Sequence, residues 1–360
     1  MITTYEYQLP FKTVLKTAVH EYSERHGFIV HYQNAKHESI TEIAPLPGFS
    51  KESSDEAAKT LKDHQQRIES FLDREFEKDE LNDFINELTP LPSVRFGLSW
   101  LGLQLKSLRL QSHPYEILKC APSETVQIND IISNQEPEKI KSEILNSIQN
   151  GFTTIKIKTP EPTLELAEIL AEFKINHRNI VFRLDANQSW SDEMINDFNI
   201  RFENNSIEYV EEPSPLPEFE TDLNKIKGLI KSPIALDESI EGFIHLDHLY
   251  QYDPDTYLII KPMLFGTIFD LVETLSADRS RSRRVVVTSL LESAVARYAL
   301  VLIASMIGDP TIAHGLNTGK LFAKDLLPDL RIRNGVISID ESALFPIRFN
   351  QIDQSLLTQL

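Results

Sequence analysis

Short apolar runs that end in a charged side chain recur through the second half of the chain: Thr-Ile-Lys156-Ile-Lys158, Phe-Arg183-Leu-Asp185, Tyr-Val-Glu211, Ala-Leu-Asp237 and Ile-Ile-Lys261. Such runs predict buried strands, and each is followed by a stretch with helical apolar spacing. The charged ends lie 27, 26, 26 and 24 residues apart. That interval is one strand, one helix and two loops, the repeat of a parallel α/β barrel. Helices are predicted over 137–149, 163–173 and 292–307, with Gly151 ending the first of them. Strands are predicted over 153–158, 180–185, 207–211, 234–237, 257–261 and 285–288, and apolar residues 311–313 make the last.

The first third has a different pattern. Residues 2–7 and 28–32 have strand character, with a polar stretch over 19–27 between them. Residues 54–76 place Ala57, Leu61, Ile68 and Leu72 at the spacing of an amphipathic helix, capped by Ser53 or Ser54. Strands followed by a helix, without alternation, mark an α+β unit. The expected architecture is a TIM-like (β/α) barrel over residues 117–330 with an N-terminal α+β capping domain over 1–116, which residues 331–360 rejoin. The polar stretch 19–27 is expected to close over the barrel's mouth.

A net charge of -18 disfavours nucleic acid and anionic membranes as partners, whereas a small anionic carboxylate substrate needs only a locally positive pocket. The apolar run 299–307 is far short of the ~20 residues that span a bilayer. The first residues lack the blocks of a signal peptide, and a single cysteine, Cys120, allows no intrachain disulfide, so a cytoplasmic protein is expected. A homo-oligomer is compatible with all of this. The arginine-rich run 279–284 and the pair His245 and His248 are read as solvated surface.

In a barrel of this kind, groups at the carboxyl ends of the strands converge on one pocket. Asp185, Glu211 and Asp237 end three adjacent strands, and at about 5 Å and an effective dielectric of about 20 each pair costs roughly 3 kcal/mol. A divalent cation removes that repulsion, and donors that are all oxygen favour Mg²⁺, then Mn²⁺. Lys156 and Lys158 project to one face of their strand, where burial and mutual repulsion are expected to lower a lysine pKa toward that of a usable base. Lys158, nearer the strand end, is the candidate base and Lys156 the tuning charge. Lys261 lies across the barrel. A cation to hold a carboxylate, with lysines on both sides, points to removal of a proton α to that carboxylate, the resulting enediolate being stabilised by the cation.

The set Lys-x-Lys, Asp, Glu, Asp, Lys resembles that of the enolase superfamily. Within it the chain is most similar to the o-succinylbenzoate synthase family of menaquinone biosynthesis, through Glu42-Ile-Ala-Pro-Leu-Pro-Gly-Phe-Ser50, Arg183-Leu-Asp-Ala-Asn187, Val210-Glu-Glu-Pro213, Leu236-Asp-Glu-Ser239, Lys261-Pro262 and Thr288-Ser-Leu-Leu-Glu-Ser293. The resemblance implies a Mg²⁺-dependent lyase. It would carry out syn-dehydration of 2-succinyl-6-hydroxy-2,4-cyclohexadiene-1-carboxylate to 2-succinylbenzoate, with Asp185, Glu211 and Asp237 on the metal, Lys158 as acid and base, and Lys261 as a stabilising cation. Glu212, Glu238 and Asn187 would support the ligands, Arg183 would orient ligand or substrate, and Thr288, Ser289 and the Gly315 backbone would contact the succinyl arm. The chain departs from the family at Ser39-Ile-Thr-Glu42, where Gly-x-Gly-Glu is usual, and at Thr288 and Leu290, where serines are common. The alternatives are an N-acylamino acid racemase or dipeptide epimerase on the same scaffold and, from another class, an inactive metal-binding scaffold. A dipeptide epimerase would be expected to carry Asp-x-Asp after the last strand, where this chain has Gly315-Leu-Asn-Thr-Gly319.

Overall fold

The computed structural model describes residues 1–16, 20–203, 207–240, 242, 246, 249, 255–276, 284–340 and 346–360. The surface readings of 279–284, His245 and His248 therefore fall largely outside the described residues, as does Val19. Strands β1 (Ile2–Lys16), β2 (Glu21–Gln33) and β3 (Glu38–Ile43) form an antiparallel meander. The polar stretch 19–27 is mostly strand: Pro10 pairs with Glu24 and Tyr7 with Gly27, so the β1–β2 hairpin is far longer than residues 2–7 and 28–32 imply. Tyr22, Arg25 and Gly27 are its buried positions, and three inward residues in seven at uneven spacing, one of them a glycine, are too weak an alternation to read as a strand.

Helices α1 (Ser54–Asp73), α2 (Lys78–Leu88) and α3 (Pro92–Leu110) follow. Ser53 is the cap of α1 and forms a reciprocal capping box with Glu56, while Ala57, Leu61, Ile68 and Leu72 are buried. Helix α3 lies on β3, with Gln104 donating to the Ile40 carbonyl at 2.7 Å and Ser39 to the Leu101 carbonyl at 3.0 Å. A short helix α4 (Pro114–Ile117) leads to strand β4 (Thr125–Gln127).

The alternating part then begins. Strands β5 (Asp130–Ile132), β6 (Thr154–Lys158), β7 (Val181–Asp185), β8 (Ile207–Glu211), β9 (Ile234–Leu236), β10 (Tyr257–Ile260) and β11 (Val285–Val287) form one parallel seven-stranded sheet in sequential order. Helices α5 (Pro137–Gln149), α6 (Leu164–Asn176), α7 (Asp192–Arg201), α8 (Phe219–Leu229), α9 (Ile268–Ser276) and α10 (Ala294–Ile307) intervene or follow. Gly151, at φ +81°, turns the chain out of α5, a conformation that costs a Cβ-bearing residue. Residues 311–313 do not form the expected eighth strand. The ring is completed by His314 and Gly315, which bridge in parallel to Ile128 and Thr288. Two residues of pairing leave no periodicity to read.

Strand β12 (Val336–Ser338) pairs with β4, and the final strand β13 (Leu357–Gln359) pairs with β1, at the edge of the N-terminal sheet. No helix among the described residues is long and apolar enough to cross a membrane.

Candidate active site

The barrel register sets the site. Lys158 is level with Asp185, and Asp185 with Glu211, so these end residues share one layer. One layer down, Lys156 is level with Arg183 and Arg183 with Tyr209. Beneath the strand-end layer an apolar cluster of Tyr209, Ala235, Ile259, Val286 and Ile312 packs beside the buried Arg183 guanidinium. The strand-end charges are thus largely buried, where their interactions are strong.

Three ammonium groups and three carboxylates interleave there. Lys156 Nζ lies 2.9 Å from Asp185 Oδ2 and 2.5 Å from Glu211 Oε1. Lys158 Nζ donates to Asn187 Oδ1 at 2.6 Å and lies 3.5 Å from Asp185 Oδ2. Lys261 donates to Asp237 Oδ1 and sits 4.8 Å from the centre of the Phe49 ring, a residue of the N-terminal domain. Lys158 is the most open of the three, its side chain 27% exposed against 12% for Lys156 and 10% for Lys261. It is the lysine that a molecule entering the mouth can reach.

At Lys156, expected as the tuning charge, the neighbouring acids outweigh burial and like charge. Burial alone would lower it, but the adjoining Asp185 and Glu211 carboxylates push it well above its ordinary value. Lys261 is likewise raised, by Asp237 and Glu238 against the effect of burial. Both stay charged. Burial would raise Asp185, yet Lys156 and Lys158 hold it below the usual carboxylate range. Glu211 shares Lys156 with Asp185 and is undercompensated: burial, opposed by Lys156 and reinforced by Asp185 and Asp237, pushes it up to about 8.

Asn187 ties the ring together, accepting from Lys158 and donating to Glu238 Oε1 at 3.1 Å. Glu212 is fully buried and accepts from the backbone N–H of Asp237 and of Ser239, each at 2.8 Å, which fixes the start of the loop after β9. Burial pushes Glu212 and Glu238 each up to about 7.

Among the described residues no three carboxylates, histidines or cysteines are already clasped around one point, because each of the three strand-end acids leans on an ammonium group. The donor set nevertheless fits a hard divalent cation. Asp185, Glu211 and Asp237 offer only oxygen, and Glu211 Oε2 and Glu238 Oε2 are buried without a hydrogen-bond partner. A buried carboxylate oxygen with no donor is costly unless a positive ion meets it.

Two expected substrate contacts are placed otherwise. Arg183 is fully buried below the charged layer, donating to Glu208 at 2.6 Å, Asn129 at 3.1 Å and the Ala313 carbonyl at 2.7 Å. Sharing a face with Asp185 does not give it the same depth: two residues along a strand is about 7 Å. The Gly315 backbone is also engaged, its N–H donating to Val287 and its carbonyl accepting from Ser289. A Cβ at Gly315 would lie 2.7 Å from the Thr288 methyl group, so the position admits only glycine without a shift. Thr288 and Ser289 stand on the rim, Ser289 donating to Glu292 at 2.7 Å and Thr288 Oγ1 buried without a partner. Nothing in the sequence pattern singled out Arg25, and Glu42 stood there only as part of the segment 42–50; both are buried in the N-terminal domain and bonded to the barrel.

Comparison with known proteins agrees with this geometry. Residues 139–343 match the family model described as "Enolase C-terminal domain-like", and residues 1–105 match "MenC, N-terminal domain". The solved structure of a probable mandelate racemase from Alicyclobacillus acidocaldarius superposes with a TM-score of 0.81 at 16% identity, covering 100% of this chain and 98% of that one. A dipeptide epimerase from Cytophaga hutchinsonii, complexed with Mg and a dipeptide, gives 0.78 at 21% identity over 94% and 93%. At these identities the likeness is one of fold. The chain belongs to the enolase superfamily. Its curated relatives are more particular: o-succinylbenzoate synthase of Aliivibrio salmonicida is 27% identical over 89% of this chain and 91% of its own, and that of Yersinia enterocolitica 25% over 94% and 97%.

Proposed function

We propose that this protein is an o-succinylbenzoate synthase: a lyase that removes water from 2-succinyl-6-hydroxy-2,4-cyclohexadiene-1-carboxylate to give 2-succinylbenzoate. Relatives of that name along nearly the whole chain and the match of residues 1–105 to "MenC, N-terminal domain" support the reading. The observation that carries the chemistry is the pair Lys158 and Lys261, set on strands four apart with Asp185, Glu211 and Asp237 on the strands between.

In this reading Asp185, Glu211 and Asp237 hold a divalent cation, Mg²⁺ by preference for all-oxygen donors. When bound, it supplies positive charge to the substrate carboxylate as that group gathers a second negative charge. Lys158, as a neutral amine, accepts the proton from the ring carbon α to the carboxylate. The Lys261 ammonium, kept charged by Asp237 and steadied by Phe49, faces the enediolate without exchanging a proton. Lys158, now an ammonium, returns its proton to the departing hydroxyl on the same face, so that water leaves and the ring becomes aromatic. Asn187 fixes the direction of the Lys158 Nζ. Thr288 and Ser289, which follow β11, are assigned to the wall around the succinyl arm, the Ser289 hydroxyl being held by Glu292 and Thr318. The single cysteine supports a cytoplasmic setting.

The test is incubation with Mg²⁺ and the cyclohexadiene precursor, following the absorbance of the aromatic product, with an N-succinylamino acid assayed in parallel for α-deuterium exchange. Product formation is expected. Exchange without dehydration would replace the lyase by a racemase, and neither activity in the metal-loaded protein would leave a binding scaffold.

A further inference from the structure

Arg25 lies on β2, away from the charged ring, and only 1% of it is exposed. The partners of its guanidinium are backbone carbonyls: Leu291 at 3.0 Å from Nε, His26 at 2.7 Å and Pro45 at 2.8 Å from Nη1, and Ala44 from Nη2. Its hydrogen bonds go to neutral carbonyls, with the buried Glu292 carboxyl near enough to feel its charge, and one rigid guanidinium fork holds those carbonyls in fixed relation. Apart from His26, its own neighbour on β2, they belong to two segments that border the candidate active site from different domains.

Ala44 and Pro45 begin the cap segment 44–50, which brings Phe49 to 4.8 Å from Lys261 Nζ. Leu291 belongs to the barrel segment after β11, three residues beyond Thr288 and two beyond Ser289 on the rim. Its backbone is left-handed, φ +60°, a conformation that a leucine holds only when its surroundings impose it. A second cap residue grips the same barrel segment. Glu42, on β3, accepts from Ser293 N at 2.8 Å and Ser293 Oγ at 2.5 Å, and from Ala296 N at 3.0 Å, at the start of α10. Tyr7 donates to Glu42 at 2.5 Å and holds it in place.

We propose that Arg25 is a positioning residue: by binding the carbonyls of Ala44, Pro45 and Leu291 at once, it sets the distance between the Phe49–Lys261 contact and the Thr288–Ser289 rim, and so the fit of the substrate. This rests on the reading of the pocket given above. Glu42 anchors the barrel half of the clamp. Arg25 thus connects the two domains through one side chain and touches no reacting atom.

The experiment compares wild type with Arg25→Met, Arg25→Lys and Phe49→Ala, and with Asn82→Ala as a control. Asn82 donates to Asp270 at 2.7 Å and is a cap-to-barrel hydrogen bond remote from the pocket. Amide hydrogen exchange is read over 44–50 and 289–296, and KM and kcat for dehydration are measured on the same samples. Arg25→Met is expected to speed exchange in both segments together and to raise KM about tenfold or more, with kcat within about threefold, a tenfold change being about 1.4 kcal/mol. Asn82→Ala should do neither. In the Arg25→Met/Phe49→Ala double variant the two KM effects should fall well short of multiplying, since one acts through the other. Arg25→Lys keeps the charge without the fork and should resemble Arg25→Met, which decides the matter if the methionine variant does not fold. Exchange that rises in one segment only, or KM that stays unchanged while both segments loosen, overturns the proposal. If wild type itself does not dehydrate the precursor, the functional reading fails and the exchange data alone decide whether Arg25 couples the two segments.

Discussion

Lys156 and Lys158 are two residues apart on one strand, and their surroundings give them different work. Lys156 is locked between Asp185 and Glu211 and stays charged, while Lys158 is the more open of the two and leans on Asn187. Lys158→Ala should therefore lower kcat by about 10³-fold or more, because one group serves as both base and acid, with little change in melting temperature. A steady-state assay beside a thermal melt checks both parts. Glu211, pushed up to about 8, and Glu238, at about 7, hold protons near neutrality that a cation would displace. Binding of Mg²⁺ at pH 7 should thus release protons, and affinity should rise with pH through about 8; calorimetry in two buffers of different ionisation enthalpy measures the release, and zero release contradicts it. The carboxylates and lysines were legible because charge at the end of an apolar run is rare and its spacing was regular. Depth was not legible: Arg183 shares the face of Asp185 but lies a layer lower, bonded to Glu208, Asn129 and the Ala313 carbonyl.

At the scale of elements, the weak point of the barrel is its closure. His314 and Gly315 supply only isolated bridges, to Ile128 and Thr288. His314 strengthens the seam with its ring: Nδ1 accepts from Val287 N at 2.9 Å, which requires that nitrogen to be unprotonated. Burial, followed by the nearby Arg183 charge, pushes this histidine down to about 3. The unfolded chain binds a proton near pH 6.5 that the folded chain refuses until about pH 3, so its contribution is complete above pH 6.5 and is lost as pH falls. Between those limits the slope is about 1.4 kcal/mol per pH unit. His314→Gln should be less stable at pH 8 and should show a shallower fall in stability from pH 6.5 to 4, measured by urea denaturation; an unchanged acid limb would contradict this. The inner strands were legible because three apolar residues in five, closed by an acid, carry their own signal, as in Val181–Asp185 and Ile207–Glu211. The closing segment and the first half of β2 were not, since the former pairs through two residues and the latter buries only Tyr22, Arg25 and Gly27, at uneven spacing.

For the whole molecule, the N-terminal domain supplies part of the pocket as well as covering it. Phe49 reaches Lys261, Arg25 reaches Leu291, and Glu42 caps α10. The chain's end returns to the same domain, where Tyr5, Glu6 and Tyr7 pair with residues 357–359. Deleting residues 357–360 removes an edge strand whose backbone hydrogen bonds contribute about 1 kcal/mol each, so stability should fall by about 1 to 3 kcal/mol while kcat is retained. Chemical denaturation and a dehydration assay on the shortened chain would measure the two effects separately. Everything in the proposed chemistry depends on one ion held by acids from three strands. Titration with Mn²⁺, followed by electron paramagnetic resonance, tests that most directly. Wild type should bind one Mn²⁺ per chain, with affinity reduced at least about tenfold in each of Asp185→Asn, Glu211→Gln and Asp237→Asn, the loss of one charged ligand being worth well over 1.4 kcal/mol. No binding in the wild type, or binding that all three substitutions leave intact, would contradict it.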